Sequence, residues 1–188
     1  LGSGRHPAGT AAARRCERIA PDVLFVMMIG GRPMRHDLPH LRNTLYLRGC
    51  DRITTCRYLA DSDCALAIYP PCRWRAVPTG YPLKAMETMA ACKPLIFDGF
   101  CDEFLRDEVE GLKVTPDADA LVQAVLQLRN DSALRDRLAA SARSRLESEY
   151  TWKHVVDRIE PRLLELVEKR ARSAATPVKH AMAGECCG

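Results

Sequence analysis

The sequence predicts an α/β fold: a Rossmann-like doubly wound parallel sheet with a helical C-terminal third. Three observations predict it. Strand-length apolar runs alternate with helix-length amphipathic stretches through most of the chain. The run over residues 23–29, Val-Leu-Phe-Val-Met-Met-Ile, is apolar on both faces, which suits a buried parallel strand. The last third carries apolar residues at helical spacing.

Taken in order, residues 1–6 read as the last residue of a strand and the loop after it. Pro7 and Thr10 begin a helix through Ala11, Ala12, Ala13, Cys16 and Ile19. The strand over residues 23–29 ends in Gly30-Gly31. A polar loop leads to a short strand, Thr44-Leu45-Tyr46-Leu47, and residues 53–60 read as a short helix. Cys64 to Tyr69 is the next strand, stopped by Pro70-Pro71. Residues 78–97 then read as loop, helix and strand. Gly80 lets the backbone turn tightly. Pro82 suits a first helical position, where a missing N–H costs nothing. The helix reaches about Ala91, Lys93-Pro94 ends it, and Leu95-Ile96-Phe97 starts a strand. Asp117 can cap a helix whose Leu121, Val125 and Leu128 share a face. Asp131 or Ser132 opens another, with Leu134, Leu138 and Leu146 aligned. Thr151 opens a third through Trp152, Val155, Val156 and Ile159, in which Pro161 should introduce a kink. The pattern fails from about Ser173. The expected organisation is one domain over residues 1–172 and a disordered tail over residues 173–188.

Composition narrows the function. The 188 residues suffice for one core of their own. The 28 basic and 24 acidic residues give a net charge of +4 and are interspersed, so there is no nucleic-acid-binding stripe. No apolar run approaches the roughly 18 residues of a membrane span, and residues 1–4 lack the regions of a signal peptide. Leu1 is not a natural start, which suggests a fragment or processed product. The expected location is the cytoplasm or its membrane surface. The nine cysteines are odd in number and form no Cys-x-x-Cys pair, so they read as scattered reduced thiols. Cys186-Cys187, in a polar tail, admits palmitoylation or a redox role as the alternative. His36 and His40 have metal-ligand spacing, but Pro39 breaks the helix that would align them, and no metal is expected.

Residues 78–96 carry the chemistry. A loop that delivers a helix N-terminus to a sheet edge is an anion site, because N–H groups and the helix dipole both favour phosphate. Lys84, in the first turn, adds a cation. Glu87, about a turn further on, can accept hydrogen bonds from sugar hydroxyls. Gly2 and Gly4 could be part of a dinucleotide fingerprint, but its final glycine falls on Pro7.

The run Gly80-Tyr81-Pro82-Leu83, with Glu87 and Lys93-Pro94, resembles the donor-nucleotide motif of retaining glycosyltransferases with the GT-B fold, family 4 in particular. That motif commonly reads Glu-Gly-Phe-Pro-Leu, a Glu-Ala-Met-Ala run and Gly-Lys-Pro-Val. Its second glutamate matches Glu87, which the resemblance makes a ribose ligand. Its first falls on Thr79, so the catalytic group is left open, and its glycine before Lys-Pro is Cys92. Further phrases match in order. Gly2-Ser3-Gly4-Arg5-His6-Pro7 is similar to the glycine loop after the first strand. Asn43-Thr44-Leu45-Tyr46-Leu47, Val109-Glu110-Gly111-Leu112-Lys113-Val114 and Tyr150-Thr151-Trp152 are similar to later ones.

The resemblance implies one half of a GT-B fold that binds a nucleotide diphosphate sugar and transfers the sugar, a hexose, to an acceptor hydroxyl with retention, in carbohydrate biosynthesis. It implies nucleotide contacts from Gly80, Tyr81, Pro82, Leu83, Lys84 and Glu87, and from Gly2, Gly4 and Arg5, with no metal or other cofactor. The acceptor, whether glycan, lipid or small molecule, is unspecified. The acceptor-side domain and the first strand of this domain are expected to precede Leu1, leaving the isolated chain inactive. Two other readings stand beside it: a non-catalytic nucleotide-sugar- or protein-binding module of the same fold, and a dinucleotide-dependent oxidoreductase.

Overall fold

A computed structural model describes residues 7–29, 39–69, 83–102 and 105–175. The chain divides into two compact units, Leu1–Glu147 and Ser148–Gly188. In the first, α1 (Pro7–Ile19) precedes β1 (Phe25–Ile29), β2 (Thr44–Arg48) and α2 (Arg52–Asp61). Then come β3 (Ala65–Ala67), α3 (Leu83–Ala90), β4 (Leu95–Phe97) and β5 (Gly111–Lys113), and after them α4 (Ala118–Asn130) and α5 (Ser132–Glu149).

All pairings between these strands are parallel. β1 lies beside β2 with Phe25 opposite Thr44. β4 lies between β3 and β5, with Leu95 opposite Ala65 on one side and Gly111 on the other. All three residues of β4 are buried, as expected for a strand covered on both faces. One apolar core joins the two sheets. Ala12 and Cys16 of α1 and Leu121 and Leu128 of α4 pack in it with Phe25 of β1 and Ile96 of β4.

The helix signals in the sequence operate as read. Asp117 caps α4 by accepting from the Ala120 N–H at 2.9 Å, and Asp131 accepts from the Leu134 N–H at the start of α5. Leu121, Val125 and Leu128 are buried together. The strand over residues 23–29 is shorter than expected and starts at Phe25. Its burial also differs from the expectation. Phe25 and Ile29 are buried, but Val26 is 37% exposed, so the strand is not covered on both faces. The strand expected over residues 64–69 is reduced to Ala65–Ala67.

In the second unit, α6 (Trp152–Ala175) runs unbroken through Pro161. A proline there removes one backbone hydrogen bond, and the apolar residues on either side of it continue the helix. Thr151 lies just before α6, its hydroxyl 2.7 Å from His154 Nδ1. The helix continues to Ala175, past the point at which the apolar pattern fails. The rest of the expected tail, residues 176–188, lies outside the described residues.

Two backbone constraints set the turns that flank β4. α3 ends in a Schellman motif: the Cys92 N–H donates to Met89 O and the Lys93 N–H to Thr88 O. Cys92 sits at the left-handed position of that motif, with φ 54°. This is the position where the resembling motif has glycine. On the other side, a Cβ on Gly111 would lie 2.4 Å from Leu95 O, so the close approach of β5 to β4 requires glycine. The preceding Glu110 is fully buried. It accepts from the Arg106 backbone N–H at 2.8 Å and from Arg106 Nε, and pairs with Arg145 at 3.4 Å. Burial acts to raise its pKa, but the Arg106 hydrogen bonds and the two guanidinium charges outweigh it and hold the carboxyl below the usual range.

These constraints predict opposite outcomes for two small substitutions. Cys92→Gly relieves a left-handed conformation worth roughly 1–2 kcal/mol, partly offset by the greater entropy of unfolded glycine. The thermal midpoint should rise by about 2–4 °C. Gly111→Ala forces β4 and β5 apart and should cost about 1–3 kcal/mol. Thermal melts of the two variants against the parent check both signs.

Candidate nucleotide-binding site

The carboxyl ends of β3 and β4 converge on one buried carboxylate. In open parallel sheets this is the end at which ligands bind. β3 ends at Ala67 and β4 at Phe97, so Tyr69 and Asp98 emerge beside each other. Asp98 is completely buried. Its Oδ2 accepts from the Tyr69 N–H at 2.9 Å, and its Oδ1 accepts from the Phe100 N–H at 3.1 Å. The second contact caps the short helical turn Gly99–Cys101. Both aromatic residues are thereby fixed at the backbone, and their rings meet at 4.5 Å between centroids, tilted by 34°.

Lys84 is held on this platform. Its ammonium lies 3.9 Å from the centroid of the Tyr69 ring, a cation–π contact. Burial lowers its pKa from the ordinary lysine value, while neighbouring Cys101 and Asp98 oppose the shift. Burial also raises the Tyr69 phenol, with Cys101 and Asp98 acting in the same direction. The result is a partly desolvated cation at the start of α3, the end of the helix that carries the positive pole of its dipole. Ala85, Thr88 and Met89 are buried and lock the helix to the sheet. The Thr88 hydroxyl donates to Lys84 O at 2.8 Å. Lys84 and Glu87 are three residues apart on α3, and both line a cleft of about 660 Å³ that also reaches β1, α2 and β3.

Of the residues expected to bind nucleotide, Leu83, Lys84 and Glu87 are described. The structure brings Lys84 and Glu87 to the same cleft, whereas the Leu83 side chain is 72% exposed. Gly2, Gly4, Arg5, Thr79, Gly80, Tyr81 and Pro82 lie outside the described residues. So does His36. Reading the sequence misses Tyr69, Asp98 and Phe100. An aromatic residue at the end of a strand and an aspartate at the end of the next are the only signals they carry. Among the described residues no group of three or more His, Cys, Asp or Glu side chains could hold a metal ion. The described cysteines, including buried Cys16 and Cys101, form no disulfide among the described residues. Among the described residues no helix is long and apolar enough to cross a membrane.

The sequence pattern of a glycosyl transferase-like family matches residues 14–161, most of the chain and the whole of the α3 region. The chain belongs to the glycosyl transferase-like family. Solved structures similar to this glycosyl transferase-like chain include sucrose-phosphate synthase from Thermosynechococcus elongatus. It has a TM-score of 0.69 at 19% identity over 90% of this chain and 45% of that one. The C-terminal domain of a glycosyl transferase group 1 family protein from Francisella tularensis has a TM-score of 0.63 at 18% identity, covering 81% of this chain and 82% of that one. Anabaena HepE in complex with UDP has a TM-score of 0.64 at 14% identity, covering 88% and 46%. No curated protein matches by sequence. The chain thus spans about half the length of the synthase and of HepE. These likenesses show the fold: a Rossmann-like parallel α/β domain with a helical C-terminal part, as in one half of a GT-B glycosyltransferase.

The platform depends on two acceptor oxygens in one buried side chain. In Asp98→Asn only one side-chain oxygen remains to accept from the Tyr69 and Phe100 N–H groups. The expected cost is about 1.5–3 kcal/mol of stability, read as a fall in the denaturant midpoint without a change in slope.

Proposed function

We propose that this chain is the donor-binding half of a retaining glycosyltransferase of the family 4 type, acting on a nucleotide diphosphate sugar. The observation that carries this reading is that Lys84 and Glu87 of α3 line one cleft, with the Lys84 ammonium resting over Tyr69 just beyond the end of β3. In the reaction the bond between the anomeric carbon and the diphosphate oxygen breaks as the acceptor hydroxyl oxygen bonds to that carbon, and the diphosphate leaves with the bonding pair and takes up the hydroxyl proton. Negative charge grows on that leaving group. Fixed N–H dipoles and a cation that is already partly desolvated stabilise it without reorganising. The first-turn amides of α3 and the Lys84 ammonium fill that role here. We assign further nucleotide contacts to Gly80, Tyr81 and Pro82, and to Gly2, Gly4 and Arg5. Glu87, a turn away from Lys84, accepts hydrogen bonds from the ribose hydroxyls. No metal is needed in this scheme.

HepE, a fold neighbour, is described in complex with UDP-glucose and with UDP, which supports a nucleotide sugar as donor. The transferred group is taken to be a hexose and the acceptor a glycan, lipid or small molecule held by a separate acceptor domain on the N-terminal side. The isolated chain then binds nucleotide without efficient turnover. The proposed setting is carbohydrate biosynthesis in the cytoplasm or at its membrane surface.

Calorimetry of the 188-residue chain with UDP, GDP and ADP should give saturable binding of at least one. Glu87→Ala should weaken that binding about ten-fold or more, the equivalent of a charge-assisted hydrogen bond of roughly 1.5–3 kcal/mol, while the thermal midpoint stays put. Absence of saturation with all three at millimolar ligand removes the nucleotide site. Unchanged affinity in the variant returns Glu87 to an ordinary solvated role.

Thr79 stands where the resembling motif has an acid near the donor sugar, and this favours a second reading, a binding module that performs no transfer. Thr79→Glu separates the two. In the protein with its acceptor domain, a gain in transfer or donor hydrolysis, with bare diphosphate affinity unchanged, marks a lost acid in an otherwise working enzyme. A fall marks an enzyme adapted to threonine, because a carboxylate has entered a site built without one. No transfer by either version across a donor panel favours the binding module.

A further inference from the structure

Asp98 does more than fix two strand ends. Both of its oxygens accept backbone N–H bonds, the pattern of an ionised carboxylate. Amide donors satisfy those oxygens but are themselves neutral, so a negative charge stays in a completely buried side chain. Such a charge is costly unless an opposite charge lies near it. The Lys84 ammonium supplies one. It lies 3.9 Å from the ring centroid of Tyr69, the residue whose N–H donates to Asp98 Oδ2 at 2.9 Å. Tyr69 thus joins the two charges: its N–H binds the carboxylate and its ring face holds the ammonium. The electrostatics follow that geometry. Burial pushes Lys84 toward the neutral amine, and Cys101 and Asp98 push it back. Burial raises the Tyr69 phenol, and Cys101 and Asp98 raise it further, so the ring keeps its proton and its face suits a cation. Among the described residues, the titratable groups around Lys84 are Tyr69 beyond β3, Asp98 and Cys101 beyond β4, and Glu87 on α3 itself. Cys101 carries charge only once its thiol ionises.

We propose that Asp98 is a positioning residue of the nucleotide site, whose buried negative charge keeps the half-buried Lys84 side chain an ammonium over the Tyr69 ring, ready for a diphosphate. The use of that ammonium rests on the nucleotide reading, whereas the pairing of the two charges does not. Without the carboxylate, burial favours the neutral amine, which offers a diphosphate no positive charge. A purely structural Asp98 predicts the opposite shift. If the carboxylate only braces the strand ends, a neutral replacement loosens the site and lets water reach Lys84. Its titration midpoint then rises toward the ordinary lysine value. If the carboxylate supplies charge, the midpoint falls further below that value.

Proton–carbon NMR titration of the Lys84 ε-methylene in the 188-residue chain reads that sign without any ligand. The signal is assigned by its loss in Lys84→Arg. Asp98→Asn and Asp98→Ser are two neutral replacements, and serine can still cap the turn Gly99–Cys101. The Lys84 midpoint should fall in both. The fall should persist in a Cys101→Ala background, which removes the thiol. A midpoint that stays in place or rises, in either replacement that folds, overturns the proposal. Binding gives the second readout, using whichever of UDP, GDP and ADP binds the parent chain. At a pH between the two midpoints, Asp98→Asn should bind it about ten-fold or more weakly, the loss of one charge-assisted contact. In a Lys84→Arg background the same substitution should cost far less, because a guanidinium stays charged at that pH. An equal cost in both backgrounds marks a structural role and overturns the proposal. If none of the three nucleotides binds the parent chain, the nucleotide reading falls, and the Lys84 midpoint alone decides the charge pairing.

Discussion

The buried carboxylate of Asp98 is the constraint on which the site depends. A three-residue strand is too short to fix the path of the chain beyond its end, and both β3 and β4 are that short. Asp98 supplies the missing definition by accepting the Tyr69 and Phe100 N–H groups, which ties the exit of one strand to the exit of the next. Those two bonds set the aromatic pair, and the Lys84 ammonium rests on the aromatic pair. A flexible lysine at a helix start is thereby converted into a placed, partly dehydrated cation. In water such a side chain would lose rotamer entropy each time it met an anion. Here much of that ordering is completed during folding, which is the physical meaning of preorganisation.

The same short strands explain how close packing substitutes for length. β4 is buried on both faces and held by parallel neighbours on both sides. The chain can enter and leave it only through tight turns. On entry the Schellman turn places Cys92 in the left-handed region, and on the far side only a glycine at 111 lets β5 approach Leu95. Glu110, beside that glycine, is buried and depends on Arg106 and Arg145 to remain charged. Two of the phrases that resemble family motifs, Lys93-Pro94 after Cys92 and Glu110-Gly111, thus coincide with backbone requirements. Cys92 shows that the requirement can be met at some strain by a residue other than glycine.

Much of the fold is legible in the sequence because local chemistry and tertiary role agree there. Asp117 and Asp131 cap the helices they precede, and Leu121, Val125 and Leu128 bury the face their spacing implies. Strand ends are less legible. An apolar run such as residues 23–29 states that burial is available, while what packs on each face decides how much is used, and that packing depends on residues distant in sequence. The exposure of Val26 belongs to that second kind of information. Pro161 does not end its helix, since one lost hydrogen bond is outweighed by the helix on both sides of it. In the site, Lys84 and Glu87 can be read from a motif on one helix. Tyr69, Asp98 and Phe100 cannot, because their partnership bridges two strands and exists only once the sheet has formed.

If the platform serves the chemistry proposed for it, a nucleoside diphosphate binds at the start of α3, over Tyr69 and Phe100. The decisive measurement is residue-resolved amide NMR of the 188-residue chain during titration with UDP, GDP and ADP. Saturable shifts are expected at Lys84, Glu87, Tyr69 and Phe100. Shifts confined to residues remote from α3, or none with any of the three nucleotides, would contradict a nucleotide site at this position.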